Sequence, residues 1–370
     1  MNNLYLATFG EIMSYAGYIV IAVLILLIMI TVHEFGHYIT GKFFGFGIDE
    51  FAIGFGPKIF KKVKKNEEIF SVRAFPFGGF CAFHGEDKED ADPKAFNNKK
   101  PWQRIIVLIS GALMNYFFAV LIIIIMFSTY GQMGFKVENV TLDTPTEYAL
   151  CDGDVIISAN GTNVYLTTDL MNALDKKEQG DLVDFTVRRN GENIKIKVMM
   201  QADASVNNIE DVKTILLALG TYTPAEPEGA IYSGLSQTNI RHGFFATIGR
   251  SFEYSVKLAG TIFTVLGQLL TGKLGFAAMG GTVTTITVTA TAIKTGGFWY
   301  VLYMSSFIGV NLAVFNMLPF PALDGSRTVF TTIEWIRKKP IKRKVETVIH
   351  TAGFVLLLVI AVLADIQRCF

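Results

Sequence analysis

The chain has 370 residues, 51% of them hydrophobic and only 18% charged, where a soluble domain carries roughly 25% charged residues; this is the composition of a membrane protein. Lys+Arg number 33 and Asp+Glu 32, which excludes a generic nucleic-acid binder resting on phosphate neutralisation. Cys81, Cys151 and Cys369 lie far apart, which excludes a disulfide framework and a CxxC metal knuckle.

The first apolar run, Ile12 to Val32, carries no charge and is long enough to cross about 30 Å of hydrocarbon at 1.5 Å per residue. No Lys or Arg precedes it, and it runs into His33 rather than a small-residue cleavage site, so a retained helix is expected instead of a secretory signal. His33-Glu34-Phe35-Gly36-His37 closes that helix. Histidines at i and i+4 share a helix face, so both imidazoles can ligate one tetrahedral zinc, with the intervening glutamate placed as general base. Ionisable groups at membrane depth are costly and mark function by default.

A basic loop follows, with Lys42, Lys58, Lys61, Lys62, Lys64, Lys65, Arg73, Lys99, Lys100 and Arg104. It also holds Gly54-Phe55-Gly56-Pro57 and Phe75-Pro76-Phe77-Gly78-Gly79-Phe80. His84, with Glu86, Asp87, Glu89 and Asp90 around it, reads as part of a solvated acidic loop. The second span is Ile105 to Gly134 and contains Ser110-Gly111-Ala112-Leu113-Met114-Asn115. Asn115 is read as a helix–helix hydrogen bond in the bilayer, with substrate handling as the alternative.

Beyond it the composition becomes ordinary. Asp152 to Gly161 reads as a turn, a short apolar strand and an Asn-Gly turn; Asp169 to Leu174 as a helix with Asp169 near its N-cap; and Phe185 to Val198, with Asn190-Gly191 in the middle, as a hairpin. Gly243 to Leu270 is apolar, but Arg250, Glu253 and Lys257 share one helical face, which suits an interfacial helix. Leu274 to Ile293 is uncharged yet rich in Thr and Gly and is not counted as a span.

Phe298 to Met317 is the third span, ending in Asn316-Met317-Leu318-Pro319-Phe320-Pro321-Ala322-Leu323-Asp324-Gly325, where two prolines break the helix. Arg337 to Lys344 is a second basic cluster, able to meet anionic headgroups, and Thr347 to Ala364 is the fourth span, which His350 opens at the interface. The positive-inside rule puts both basic loops in the cytoplasm, both termini outside and residues 131–297 outside. Asp324 then lies on the same side as His33 and His37. A catalytic zinc takes three protein ligands and keeps one position open, and Asp324 is the candidate third, with a turn or cap role as the alternative.

The stretch Gly153 to Gly161, of pattern G-D-x-I-x-x-x-N-G, with the helix and hairpin after it, resembles the bacterial PDZ domain over residues 135–200. H-E-F-G-H in the first span and N-x-x-P-x-P-x-L-D-G at the end of the third resemble the site-2 protease family of intramembrane zinc metalloproteases, and the single insert resembles its bacterial regulator-of-sigma-E protease branch. The expected fold is an α-helical polytopic membrane protein of about four transmembrane helices with a membrane-associated β element and an inserted PDZ-like domain. Its expected division is 1–134, 135–205, 206–297 and 298–370.

The resemblance implies a Zn2+ cofactor held by His33, His37 and Asp324, with Glu34 as catalytic base. It also implies substrate contacts from Asn316 and from Gly78, Gly79 and Phe80 in a β element. Implied partners are the lipid bilayer and single-span membrane proteins, either anti-sigma factors or remnant signal peptides, at the bacterial cytoplasmic membrane, with no nucleic acid. The family often has Gly-Pro before the Asn of the second span, where this chain has none, and Gly280-Gly281-Thr282-Val283 stands in place of Gly-Pro-x-Gly. The competing readings are an inactive scaffold that binds peptides through its PDZ-like domain, and a transporter, which the lack of inverted repeats disfavours.

Overall fold

The computed structural model describes residues 9–86, 90–138, 140, 148–204, 212–220, 234–273 and 280–369. In chain order the first elements are helix α1 (Phe9–Phe43), strands β1 (Ile48–Val63) and β2 (Ile69–Phe83), and helix α2 (Pro101–Thr129). Next come β3 (Gln132–Val137), β4 (Val155–Ala159), β5 (Thr162–Asn163), α3 (Thr167–Leu174), β6 (Leu182–Arg189), β7 (Glu192–Met199), α4 (Val212–Ala218) and β8 (Leu235–Ile240). Helices α5 (Phe244–Leu270), α6 (Thr282–Asn316), α7 (Asp324–Arg337) and α8 (Arg343–Cys369) complete the chain. Two units emerge, residues 1–125 with 250–370, and residues 126–249.

Among the described residues, four helices are long and apolar enough to cross a membrane: Met13–Phe43, Pro101–Thr129, Thr282–Asn316 and Lys344–Gln367. The number agrees with the sequence reading, but the bounds do not. α1 continues past Val32 to Phe43, so the H-E-F-G-H motif lies inside the helix rather than at its end. α6 begins well before Phe298 and absorbs residues 282–293; it is kinked at Gly297, whose φ of 64° only glycine adopts freely. Residues 274–279 of that stretch lie outside the described residues. α5 is a 27-residue helix that is not among the four.

With no hydrophobic drive between helices in lipid, close packing and polar contacts hold them together. Gly36 lets α1 approach α2, since a Cβ there would sit 2.4 Å from the Ser110 carbonyl oxygen. α7, which the sequence reading left as loop, buries Gly325, Ser326, Thr331 and Glu334 and exposes Val329, Ile333, Trp335 and Ile336. Its Glu334 accepts from Arg104 of α2 at 2.8 Å, both side chains being more than nine-tenths buried, and its Arg327 pairs with Glu86.

β1 and β2 form an antiparallel sheet in which both strands bend. Residues 48–53 pair with 79–83 on one side and 69–72 on the other, and 58–63 pair across 69–73. Residues 79–83 are therefore an edge of this sheet. The hairpin turn is tied to α1 through Glu68, which accepts from Tyr38 at 2.9 Å, from Lys64 at 2.7 Å and from Lys42.

The second unit is a sheet in the order β7-β6-β4-β3-β8, with β5 on β4. Alternation in the strands sends Phe135, Ile156, Val183, Phe185 and Val187 into a core closed by Leu170 and Leu174 of α3 and Ile215 and Leu219 from the α4 region. The expected hairpin is β6–β7, joined by Asn190 and Gly191, both at positive φ as a two-residue type I′ turn requires. Asp169 lies near the N-cap of α3, as the sequence reading expects. It sits in the first turn and its carboxylate accepts from the backbone N–H groups of Tyr165 and Leu166 at 2.9 and 3.0 Å. Residues 139 and 141–147, within the stretch whose sequence resembles a PDZ domain, lie outside the described residues.

Candidate metal centre

α1 carries His33 and His37 one turn apart, and the rings meet edge to face with centroids 4.8 Å apart. Their Nε2 atoms are 3.2 Å apart. Asp324, from the first turn of α7, brings Oδ2 to 2.9 Å from His33 Nε2 and 3.3 Å from His37 Nε2. Donor atoms about 2.0–2.2 Å from one tetrahedral zinc are separated by roughly 3.3 Å, so the three fit a single small cation. Among the described residues this is the one group of three or more His, Cys, Asp or Glu side chains so disposed. Two imidazoles and a carboxylate, three protein donors in a water-poor setting, form the set of a catalytic rather than a structural zinc site.

The neighbours explain how the set is assembled. His37 Nδ1 donates to the Val107 carbonyl oxygen at 2.8 Å, which leaves the Nε2 lone pair free to accept a cation. Gly111 of α2 makes room for both rings, since a Cβ there would lie 2.4 Å from His37 Nε2 and 2.8 Å from His33 Cε1. Burial alone would raise the Asp324 carboxyl, but the imidazoles of His37 and His33 outweigh it and hold the group well below the usual carboxylate range.

Asp324 is presented by the turn 317–323. Gly325 fits under the carbonyls of Leu318 and Met317, where a Cβ would come within 2.3 and 2.4 Å. Ala322 has a φ of 83°, and its N–H donates to His350 Nδ1 of α8 at 3.0 Å. α8 begins at Arg343, so His350 does not open the fourth helix, as the sequence reading had it. It lies inside α8 with its side chain 14% exposed and secures the turn that carries Asp324.

Glu34 points to the sheet edge, where its Oε2 accepts from the Cys81 backbone N–H at 3.0 Å. Gly79 lies against it, with a built Cβ 3.6 Å from Glu34 Cγ. Gly78, at φ 97°, packs on the ring of Phe55, and Phe80 stacks on Phe55 with centroids 6.2 Å apart under the Arg73 guanidinium. Asn316 ends α6 half-buried, and its side chain makes no hydrogen bond among the described residues. The structure thus brings His33, His37 and Asp324 together and sets Glu34 and Gly79 side by side, while among the described residues no hydrogen bond joins Asn316 or Phe80 to the three donors. His84 bridges Asp49 and Asp90, each at 3.0 Å.

Sequence reasoning missed three supports: Val107 and Gly111, which seat the imidazoles, and His350, which holds the turn. Only Gly111 left a signal, as a glycine in the middle of an apolar span.

The chain matches peptidase family M50 over residues 21–360. A Clostridium perfringens protein named "Putative zinc metalloprotease" is 34% identical over 352 residues, covering 95% of this chain and 98% of its own length. The regulator of sigma-W protease RasP of Bacillus subtilis is 26% identical over 428 residues, covering 91% of this chain and 95% of its own. The zinc metalloprotease RasP of Oceanobacillus iheyensis is 25% identical over 438 residues, covering 95% and 99%. The H-E-x-x-H pair and the distant L-D-G aspartate, brought to one point, are therefore features of a chain that belongs to peptidase family M50, the site-2 protease family.

Proposed function

We propose that this zinc metalloprotease hydrolyses peptide bonds within membrane-spanning segments, with His33, His37 and Asp324 holding the metal and Glu34 acting as base. The observation that carries the reading is the meeting of these three donors, 291 residues apart at the extremes, two on a helix long enough to span a bilayer and the third on the first residue of α7. Zinc bound there supplies a Lewis acid that polarises a peptide carbonyl and lowers the pKa of water.

The chain's own groups carry the rest. Glu34, one oxygen held by the Cys81 N–H, takes the proton of the attacking water and delivers it to the departing amine. The Asn316 amide donates to the developing oxyanion.

A helical substrate hides its carbonyls in i→i−4 bonds and must unwind before attack. The sheet edge at residues 79–83 offers the unwound strand a partner by β-augmentation. Alternate N–H groups of a strand point the same way, so Gly79 N–H faces the same edge as the Cys81 N–H bound to Glu34. Gly78, Gly79 and Phe80 would form this platform, the glycines leaving room for a second backbone.

The substrates this reading assigns are single-span membrane proteins already trimmed outside the bilayer, anti-sigma factors or remnant signal peptides; the Bacillus subtilis relative's name points to sigma-factor regulation. The setting is the bacterial cytoplasmic membrane, with the metal toward the cytoplasmic side and the insert outside. The insert, PDZ-like over 135–205, would screen ectodomain size or bind a new C-terminus, and 1–134, 206–297 and 298–370 would be the remaining parts.

The test is Glu34→Gln in detergent with a membrane-segment peptide. The variant is expected to keep about one zinc per chain and to lose at least a thousandfold in cleavage, on the order of general-base removal from a concerted site. Undiminished cleavage defeats the assignment.

A further inference from the structure

A histidine that offers Nε2 to a metal carries its proton on Nδ1, and an acceptor for that N–H fixes both tautomer and ring orientation. For His37 the acceptor is the Val107 carbonyl. His33 turns Nδ1 to a different partner on the same helix. The side-chain amide of Asn115 lies 3.5 Å away through Nδ2, and its Oδ1 has no hydrogen-bond partner. Asn115 is 0% exposed, so water does not relieve that oxygen from outside.

Nδ2 has only hydrogens to offer, and an amide N–H cannot pair with an imidazole N–H. The two ends of the amide have nearly the same shape, so a half-turn about Cβ–Cγ sets Oδ1 against His33 Nδ1 without repacking the helices. The amide's unpartnered end becomes its NH2, and the gain is a bond to the ligand ring.

We propose that Asn115 is a positioning residue for the metal centre: its Oδ1 accepts the Nδ1–H of His33 and holds the imidazole with the Nε2 lone pair turned to zinc. This rests on His33 being a zinc ligand. α2 then orients both histidines, His37 through the main-chain oxygen of Val107 and His33 through a side chain two turns along. A residue that only tied α1 to α2 would tolerate any polar group. A residue that sets the tautomer requires an acceptor.

The experiment is zinc titration of the metal-stripped full chain in detergent, in competition with a chromophoric chelator, with the unfolding midpoint of each zinc-free variant alongside. His33→Ala is expected to lose zinc; retention there overturns the ligand reading, and this proposal with it. With that arm satisfied, Asn115→Leu, close in size and without an acceptor, is expected to weaken zinc binding ten- to hundredfold. Asn115→Asp, a stronger acceptor that makes the ring more basic, is expected to bind zinc as tightly as the parent or more so. Asn115→Ala replaces the leucine variant should that one fail to fold, with the same expected loss. Parental affinity in the acceptor-free variant overturns the proposal, and so does an equal loss in the aspartate variant.

Discussion

His33 and His37 stand one turn apart on a single continuous helix, whereas Asp324 arrives on the turn 317–323 and the first residue of a new helix. The first pair needs only helical periodicity to share a face, plus a neighbour small enough to admit two rings. The third donor needs a set of remote contacts: the carbonyls of Met317 and Leu318 over Gly325, the positive φ of Ala322, and His350 and Gly353 of α8 against the turn. Half of the site is thus written locally and half is assembled by tertiary structure, and the two halves are expected to fail differently.

Among changes outside the donors and the base, the most damaging falls on the local half. Gly111→Ala places a methyl 2.4 Å from His37 Nε2 and 2.8 Å from His33 Cε1. The rings must swing away, and donor atoms displaced by even about 1 Å no longer satisfy a tetrahedral ion. Bound zinc should fall below about a tenth of the parental content and cleavage should fall with it, while overpacking costs about 1–3 kcal/mol of stability. Metal analysis of the purified variant, with its unfolding curve, checks this. A full zinc complement would show that the rings have room the structure does not give them.

This asymmetry also explains what was legible in the sequence. The i, i+4 histidines, the number of spans and the Asn190-Gly191 hairpin are local patterns, and each is legible in the sequence. Asp324 was legible only because two prolines and an Asp-Gly stood at the end of a span on the cytoplasmic side of the expected topology. α7 was not legible, because its apolar residues Val329, Ile333, Trp335 and Ile336 lie on the exposed face and its polar ones are buried, the reverse of the soluble pattern. The α6 start was missed because Thr and Gly lower the apolar signal of residues 282–297. The roles of Val107 and His350 depend on pairings across distant segments that spacing does not encode.

A smaller effect is expected on the assembled half. His350→Ala removes the acceptor of the Ala322 N–H, whose residue already holds a left-handed conformation. Leaving this part-buried donor unpaired costs about 1–3 kcal/mol at most, so zinc affinity should drop by up to roughly a hundredfold if the turn must reform on binding. Zinc should still fill the site at high concentration, in contrast to Gly111→Ala. His350→Asn, which offers an amide oxygen in a similar place, should recover part of the loss. Competition titration of the pair checks both statements, and an unchanged affinity in the alanine variant would mean that Gly325 and Gly353 alone hold the turn.

The smallest effect is expected where the sheet is pinned to α1, beyond the donors. Glu68 is 1% exposed and accepts from Lys42, Lys64, Tyr38 and Asn66. Burial alone would raise its pKa, but the Lys42 and Lys64 ammonium groups, with Tyr38 and Asn66, outweigh it and bring it down to about 2. The unfolded-state value is about 4.3. Ionised Glu68 therefore stabilises the fold at all pH above that value, and the contribution is lost as pH falls from there toward 2. Glu68→Gln should lower the unfolding midpoint by a few degrees at pH 7 and differ less and less from the parent as the medium is acidified through that window. Its zinc affinity should not change, because neither the histidines nor the Asp324 turn leans on this carboxylate. Turnover is the informative quantity: the sheet that Glu68 anchors also brings Cys81 N–H to Glu34, so a fall in kcat at unchanged zinc content would tie the base, and not the metal, to the hairpin.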